Sequence, residues 1–223
     1  MSLTDATLHC ALADLTARDP RLARIVADFG PPPLWARPAG FPTLIHIILE
    51  QQVSLASARA AFERLCALAE PLTPQRFLDL DDVTLKAAGF SRQKTRYGRE
   101  AARAILAGSL DLDSLDGLDD QAVRVELTRI VGIGRWTADI YLLMALGRPD
   151  VWPSGDLALA IAARNALALP AVPPPAELEA IGEAWRPWRA VVARILWQHY
   201  LSAGARPARA GTNRSSSESD EAS

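Results

Sequence analysis

An all-α chain of short helices is what the sequence predicts, on three observations. Ser, Thr, Asp or Pro start signals precede apolar-periodic runs, glycines follow those runs as stops, and alternating apolar-polar stretches of strand type are hard to find. The first helix is expected over 4–17, and Asp19-Pro20, an N-cap and first-position pair, opens the second over 20–29, stopped by Gly30. Phe41-Pro42 starts a third, over 42–51. Gln51-Gln52-Val53-Ser54 then breaks the helical pattern before a Ser-led run at 55–69. Thr73-Pro74 opens 74–79, a run at 82–88 stops at Gly89, and another at 92–107 stops at Gly108. Helices over 119–129, 135–146 with its stop at Gly147, 156–168, 174–185 and 188–202 complete the series. Trp185 and Trp188, bracketing Pro187, are expected to fix the entry of the last one. Residues 204–223, rich in Ser, Gly, Asp, Glu and Arg, have the composition of a disordered tail and are left out of the fold.

Composition bounds the function. With 223 residues, 49% of them hydrophobic, the chain can bury a real core in one compact unit or two closely packed lobes. Its two cysteines, Cys10 and Cys66, lie far apart in helical runs, so neither a disulfide framework nor a metal-thiolate site is expected. No stretch approaches 18 uninterrupted apolar residues and the N-terminus has no basic segment before an apolar run, which points to a cytoplasmic, bacterial-like setting away from membranes, with reduced thiols. His9, His46 and His199 are too scattered to suggest a metal site or a catalytic triad.

Net charge is −2, which leaves distribution more important than sum for any polyanionic partner. The basic residues are 22 Arg and 2 Lys, and Arg92, Arg96, Arg99 and Arg103 share one helical face. That stripe is either a track for a phosphate backbone or a solvated face balanced by Glu100 and nearby acids.

The most informative stretch runs from Leu127 to Asp156. Val131-Gly132-Ile133-Gly134 has the hydrophobic-Gly-hydrophobic-Gly pattern of a helix-hairpin-helix, whose glycines permit conformations closed to other residues and let another backbone come close. Arg135-Trp136-Thr137-Ala138 then opens a helix, and free N–H groups with the helix dipole make an anion site suited to a DNA phosphate. Twenty residues past Trp136, Pro153-Ser154-Gly155-Asp156 places an isolated acid at an N-cap or first turn. Taken alone, such a turn more often only reverses the chain than binds DNA, and such an acid more often only caps than catalyses.

Together with motifs elsewhere, this arrangement resembles the helix-hairpin-helix DNA glycosylase superfamily, HhH-GPD, and within it the alkylation-repair branch of 3-methyladenine DNA glycosylase II type. The likeness runs from about Phe41 to Tyr200. It includes Ile48 to Ser54, Leu85 to Ser91, the hairpin with Trp136-Thr137-Ala138, Pro153 to Asp156, and Trp185 to Arg189 before Ile195-Leu196-Trp197. The resemblance implies a two-lobed helical fold over 1–203, a lobe of about 38–150 flanked by one built from the N- and C-terminal helices, with the active-site cleft between them. It implies a monomeric enzyme acting on double-stranded DNA, with Asp156 catalytic.

Such an enzyme must flip the base out of the stack before cleaving its N-glycosidic bond. The departing base leaves an oxocarbenium-like sugar, which a carboxylate near the anomeric carbon stabilises as it forms. Superfamily members that nick the strand through a Schiff base carry Lys two residues after the second hairpin Gly, where this chain has Trp136. A monofunctional glycosylase is therefore expected, with water as nucleophile and the electron-rich face of Trp136 favouring cationic methylated purines. A bifunctional glycosylase/lyase, a non-catalytic DNA-binding module and an enzyme of unrelated chemistry on the same helical scaffold remain the alternatives.

Further roles follow from the same resemblance. Trp197 matches a base-facing tryptophan, while Trp152 is a pocket candidate only through its closeness to Asp156; for both, packing is the competing role. Ile140 and Leu157 stand where tyrosines are expected, with Tyr141 adjacent to one as a pocket candidate. Gln51, Gln52 and Ser54 match the loop that fills the gap left by the flipped base, Gln52 as the wedge with Ser54 behind it. Gly132, Ile133, Gly134, Arg135 and Thr137 are expected to meet the DNA backbone. A monovalent cation, Na or K, is implied at the carbonyls of Thr128, Ile130 and Ile133. No organic cofactor is expected, and no iron-sulfur cluster, since the four C-terminal cysteines of the endonuclease III branch have no counterpart here.

Overall fold

The structure is a computed structural model and describes residues 2–205. Among the described residues it holds twelve α-helices, two short 3-10 turns and no strand. The helices are α1 (Asp5–Arg18), α2 (Pro20–Phe29), α3 (Phe41–Glu50), α4 (Leu55–Leu68), α5 (Pro74–Asp79), α6 (Asp82–Ala88) and α7 (Arg92–Leu106), then α8 (Asp120–Thr128), α9 (Arg135–Met144), α10 (Leu157–Leu167), α11 (Pro175–Gly182) and α12 (Arg189–Ala205).

Their starts are chemical. Thr4, Asp19, Ser54, Thr73, Asp81, Ser91, Asp119 and Asp156 each accept a hydrogen bond from a backbone N–H in the first turn that follows, supplying a partner the helix itself cannot. A 3-10 turn at Ser114–Gly117 went unforeseen, because it is too short for periodicity to show; the Asp111 carboxylate sets it up by accepting from the N–H groups of Asp113 and Ser114. Helix α12 runs on to Ala205, two residues into the stretch read as tail, because its turns pack onto the body of the protein before that point. The rest of that stretch, 206–223, lies outside the described residues.

Helix α3 is buried on most sides: Phe41, Leu44, Ile45, Ile47, Ile48 and Leu49 are each 5% exposed or less, so it serves as a central post. It packs on α4, α7 and α9, with α5 on α7, α6 on α4 and α8 on α9. A second group forms where α12 packs on α10, α2 and α1. Arg194 of α12 joins the groups. Its buried guanidinium donates to the carbonyls of Leu34 at 2.8 Å, Ala190 at 2.9 Å and Leu143 at 2.8 Å, and burial brings its pKa down to about 10.

Asp19 ties the α1–α2 corner to the chain just before α12. Its carboxylate caps the Arg21 N–H at 3.0 Å, takes the Arg21 guanidinium at 2.9 and 2.7 Å, and accepts from the Trp185 indole at 3.1 Å. The Arg21 hydrogen bond, with help from Trp185, outweighs burial and holds its pKa at about 2 against an ordinary 3.8. A carboxyl with a depressed pKa adds stability that is complete above its unfolded pKa and fades as pH falls through the folded one. Thermal melts of wild type should thus lose about 1–2 kcal/mol of stability between pH 5 and pH 2 that Asp19→Asn does not lose, Asn having no charge to titrate. Equal acid sensitivity in the two proteins would show that Asp19 carries no such linkage.

Candidate active site

The hairpin between α8 and α9 is set by steric demand. Gly132 sits at φ +91°, and a Cβ there would lie 2.0 Å from Cγ of Tyr97, inside its ring. Gly134 differs: at φ −92° and ψ 179° its backbone suits any residue, and a Cβ would meet nothing within 4 Å. Nothing within the fold requires glycine at that position. It immediately precedes the first turn of α9, which no side chain caps, so the N–H groups there face outward beside an open approach.

Helices α8 and α9 are held together by a carboxylate that sequence reasoning missed. Asp139 is 1% exposed and accepts from Arg124 Nε at 2.6 Å and from Arg135 Nε at 3.0 Å. Its only sequence signal was the i,i+4 spacing from Arg135. Arg135 therefore braces the hairpin, although 59% of its side chain stays exposed. The side chain of Thr137 is buried and its hydroxyl accepts from Gln51 Nε2 at 3.0 Å, which leaves its backbone N–H, in the uncapped first turn of α9, as the group that can meet a phosphate. Gln51 also donates to the Gly132 carbonyl at 3.0 Å, pinning the end of α3 to the hairpin. Gln52 next to it is exposed at φ +56°, between that anchor and Ser54, whose hydroxyl caps α4 by accepting from the Ser57 N–H.

A cleft of about 1740 Å³ runs between the two helix groups. It is lined from one side by Gln51, Gln52, Ser54, the hairpin and Trp136, and from the other by Asp156 and Trp197. Asp156 is the N-cap of α10. Its Oδ1 accepts from the Leu159 N–H at 2.7 Å and the Trp197 indole at 3.2 Å, and its Oδ2 accepts from the Trp136 indole at 2.8 Å. The capping role and the cleft position coexist. Three donors from α9, α10 and α12 fix the carboxylate's orientation at the cleft wall, where it can act electrostatically on a bound ligand.

Two pocket candidates are corrected. Trp152 is 1% exposed, donates to the Leu178 carbonyl at 2.8 Å and tilts against Trp185, while a Cβ on Gly182 would strike its ring; it is a core residue. Tyr141 is fully buried, and its hydroxyl accepts from the Gly40 N–H at 2.9 Å. One residue of helix is 100° of rotation, so Ile140 faces the cleft where Tyr141 faces the core. Leu157, 70% exposed, also lines the cleft.

Sequence reasoning did not place Trp35, Arg37, Glu50, Lys94 or Tyr97 at the site, yet all line the cleft. Lys94 donates to the Leu49 carbonyl at 2.6 Å, and burial lowers its pKa. Of the arginine stripe, Arg99 pairs with Asp82 at 2.6 Å and Arg103 with Glu100 at 3.0 Å, so those two serve local structure. The histidines stay apart: His46 stacks on Phe62 with centroids 4.3 Å apart, and His199 sits edge-on to Phe29. Cys10 and Cys66 are free thiols, and no helix among the described residues is long and apolar enough to cross a membrane.

Known proteins match this chain in sequence and fold. The chain is 29% identical over 201 residues to DNA-3-methyladenine glycosylase 1 of Schizosaccharomyces pombe, covering 88% of this chain and 87% of that protein. Among solved structures it resembles a 3-methyladenine DNA glycosylase of the same yeast in complex with abasic DNA, with TM-score 0.78 and 28% identity over 84% of this chain and 95% of that one. It also resembles a DNA-3-methyladenine glycosidase from Bacillus halodurans, with TM-score 0.70 and 30% identity over 92% and 94% of the two chains. The HhH-GPD superfamily of base excision DNA repair proteins matches residues 45–187, from within the central helix through the hairpin and Asp156, and this chain belongs to it.

Proposed function

We propose that this protein is a monofunctional DNA glycosylase that excises alkylated bases, of the 3-methyladenine and 7-methylguanine type, from double-stranded DNA. The observation that carries the reading is the Asp156 carboxylate, held at the cleft wall by two indoles and a backbone N–H. As the C1′–N bond breaks, its electron pair moves to the base and cancels the positive charge that alkylation placed there. The sugar becomes an oxocarbenium ion that Asp156 stabilises, and a water oxygen adds to C1′ and loses a proton. A cationic base leaves without prior protonation, so one carboxylate suffices where a neutral base would need a general acid as well.

The hairpin supplies the grip. Gly134 and the uncapped first turn of α9 offer backbone N–H groups to a phosphate, with Gly132, Ile133 and the exposed head of Arg135 around them, while Gln52 enters the duplex gap. A sodium or potassium ion at the carbonyls of Thr128, Ile130 and Ile133 belongs to the same reading. Thr128 ends α8, where carbonyls lack intrahelical donors, and the Ile130 carbonyl uses one lone pair on the Ile133 N–H. Bound there, the ion would add positive charge beside the phosphate. The enzyme would work as a cytoplasmic monomer, without an organic cofactor or iron-sulfur cluster.

Duplex DNA methylated with dimethyl sulfate supplies the test. Wild type is expected to release free methylated purines, leave the abasic strand uncut and form no adduct with borohydride. Lys94 is the lysine of the cleft, and its amine is occupied by the Leu49 carbonyl. A trapped adduct would overturn hydrolysis in favour of a lyase, and absence of base release would leave a DNA-binding module. Trp136→Phe, which keeps a ring but removes the donor to Asp156, should lower the single-turnover release rate about tenfold to a hundredfold. An unchanged rate would show that the indole hydrogen bond does not position the acid.

A further inference from the structure

The segment between α2 and α3 crosses one end of the cleft as a strap. Trp35, in the middle of it, sits at φ +47°, a conformation a large L residue holds only when its surroundings impose it. Both flanks are tied down. The Leu34 carbonyl accepts from buried Arg194 at 2.8 Å, the Arg37 N–H donates to the Met144 carbonyl at 2.9 Å, and the Arg37 guanidinium grips buried Glu50 at 2.6 and 3.1 Å. Gln198 adds a bond to the Phe29 carbonyl at 3.0 Å.

These anchors place the strap relative to Asp156. Trp136, Ile140 and Met144 recur at i, i+4 and i+8 along the cleft face of α9, so Met144 lies about 12 Å along the helix axis from Trp136. On α12, Arg194 is one turn before Trp197. The strap therefore bridges the two helices whose indoles hold the carboxylate, and it closes the apolar end of the cleft beside Ile140 and Met144. With the sugar at Asp156, that end is the apolar recess of the same cleft into which a purine would extend. Trp136, Trp152, Trp185 and Trp197 each spend their indole N–H on a protein acceptor, whereas those of Trp35 and Trp188 have no partner among the described residues, and of these two only Trp35 lines the cleft.

We infer, resting on the glycosylase reading above, that Trp35 is a specificity-determining residue whose ring forms the wall on which the extruded cationic purine stacks. The locked strap holds that ring in the cleft before the base arrives, so its rotamer is not lost on binding. An electron-rich indole favours a positively charged ring over its neutral counterpart.

The test compares wild type, Trp35→Ala and Trp35→Phe in two assays. In the first, the nucleosides 7-methylguanosine, which is cationic, and guanosine are titrated into each protein by NMR. In the second, release of 7-methylguanine and of neutral hypoxanthine from duplex DNA is timed under single turnover, with affinity for intact duplex measured alongside. Trp35→Ala should weaken 7-methylguanosine about tenfold and slow 7-methylguanine release similarly, with smaller effects on guanosine and hypoxanthine, unchanged duplex affinity and most of the loss restored in Trp35→Phe. Equal nucleoside affinities in wild type and Trp35→Ala, or a uniform loss that Phe does not restore, would overturn the inference. Discrimination by Trp35 in a wild type that releases no base would sink the glycosylase reading and keep the stacking wall, so the two failures are distinct.

Discussion

Replacing Asp156 by Asn is expected to slow the release of methylated purines from duplex DNA by about a thousandfold while leaving the fold in place. A unit charge about 4 Å from a cationic sugar, at an effective dielectric near 20, contributes about 4 kcal/mol, and that much of a barrier is about three powers of ten in rate. The amide oxygen of Asn can still accept from the Leu159 N–H that Oδ1 now caps, so α10 keeps its start. The comparison is single-turnover release by the two proteins, with thermal melts as the control. Equal release would remove Asp156 from the mechanism, and a collapsed melt would mean that its cap, not its charge, is what the substitution removed.

The second large effect divides the two hairpin glycines. Gly132→Ala must place a methyl group inside the Tyr97 ring at a φ that L residues avoid, and it is expected to cost about 3 kcal/mol of stability, seen as a lower denaturation midpoint. Gly134→Ala has neither problem and should melt like wild type. Its methyl group would nevertheless stand between the N-terminus of α9 and an approaching phosphate, so affinity for duplex DNA should drop about tenfold or more. Gly134→Ala protein that binds duplex as well as wild type would show that the phosphate is held elsewhere.

Much of this site was legible in one dimension because its parts are local. The N-cap role of Asp156, the Gly-x-Gly turn and the break at Gln51-Gln52 each follow from a few neighbouring residues whose backbone needs are stereotyped. The tryptophans were not separable in that way. Trp136 and Trp197 reach one carboxylate from helices some sixty residues apart in sequence, whereas Trp152, four residues from Asp156, turns away into the core. Nearness along the chain misled there, because a loop residue's direction is set by which apolar surface it can bury.

Charge followed the same division. The arginine stripe on α7 was visible as periodicity, but only packing shows Arg99 and Arg103 occupied by acids. Asp139 read as an unremarkable helical residue, yet it is the buried brace of the hairpin. Trp35 gave no signal at all, since it lies in a proline-rich connection without periodicity, and its position depends on Arg194, Met144 and Glu50 from three distant helices.

The sequence by itself determined the helical elements, their caps, the hairpin and the acid, because hydrogen-bonding demand at helix ends and the steric freedom of glycine act over a few residues. Only the tertiary structure decided which indoles orient Asp156, which aromatic rings face the cleft and which charges are already spent. Those choices depend on burial and on donor-acceptor pairing between segments far apart in the chain.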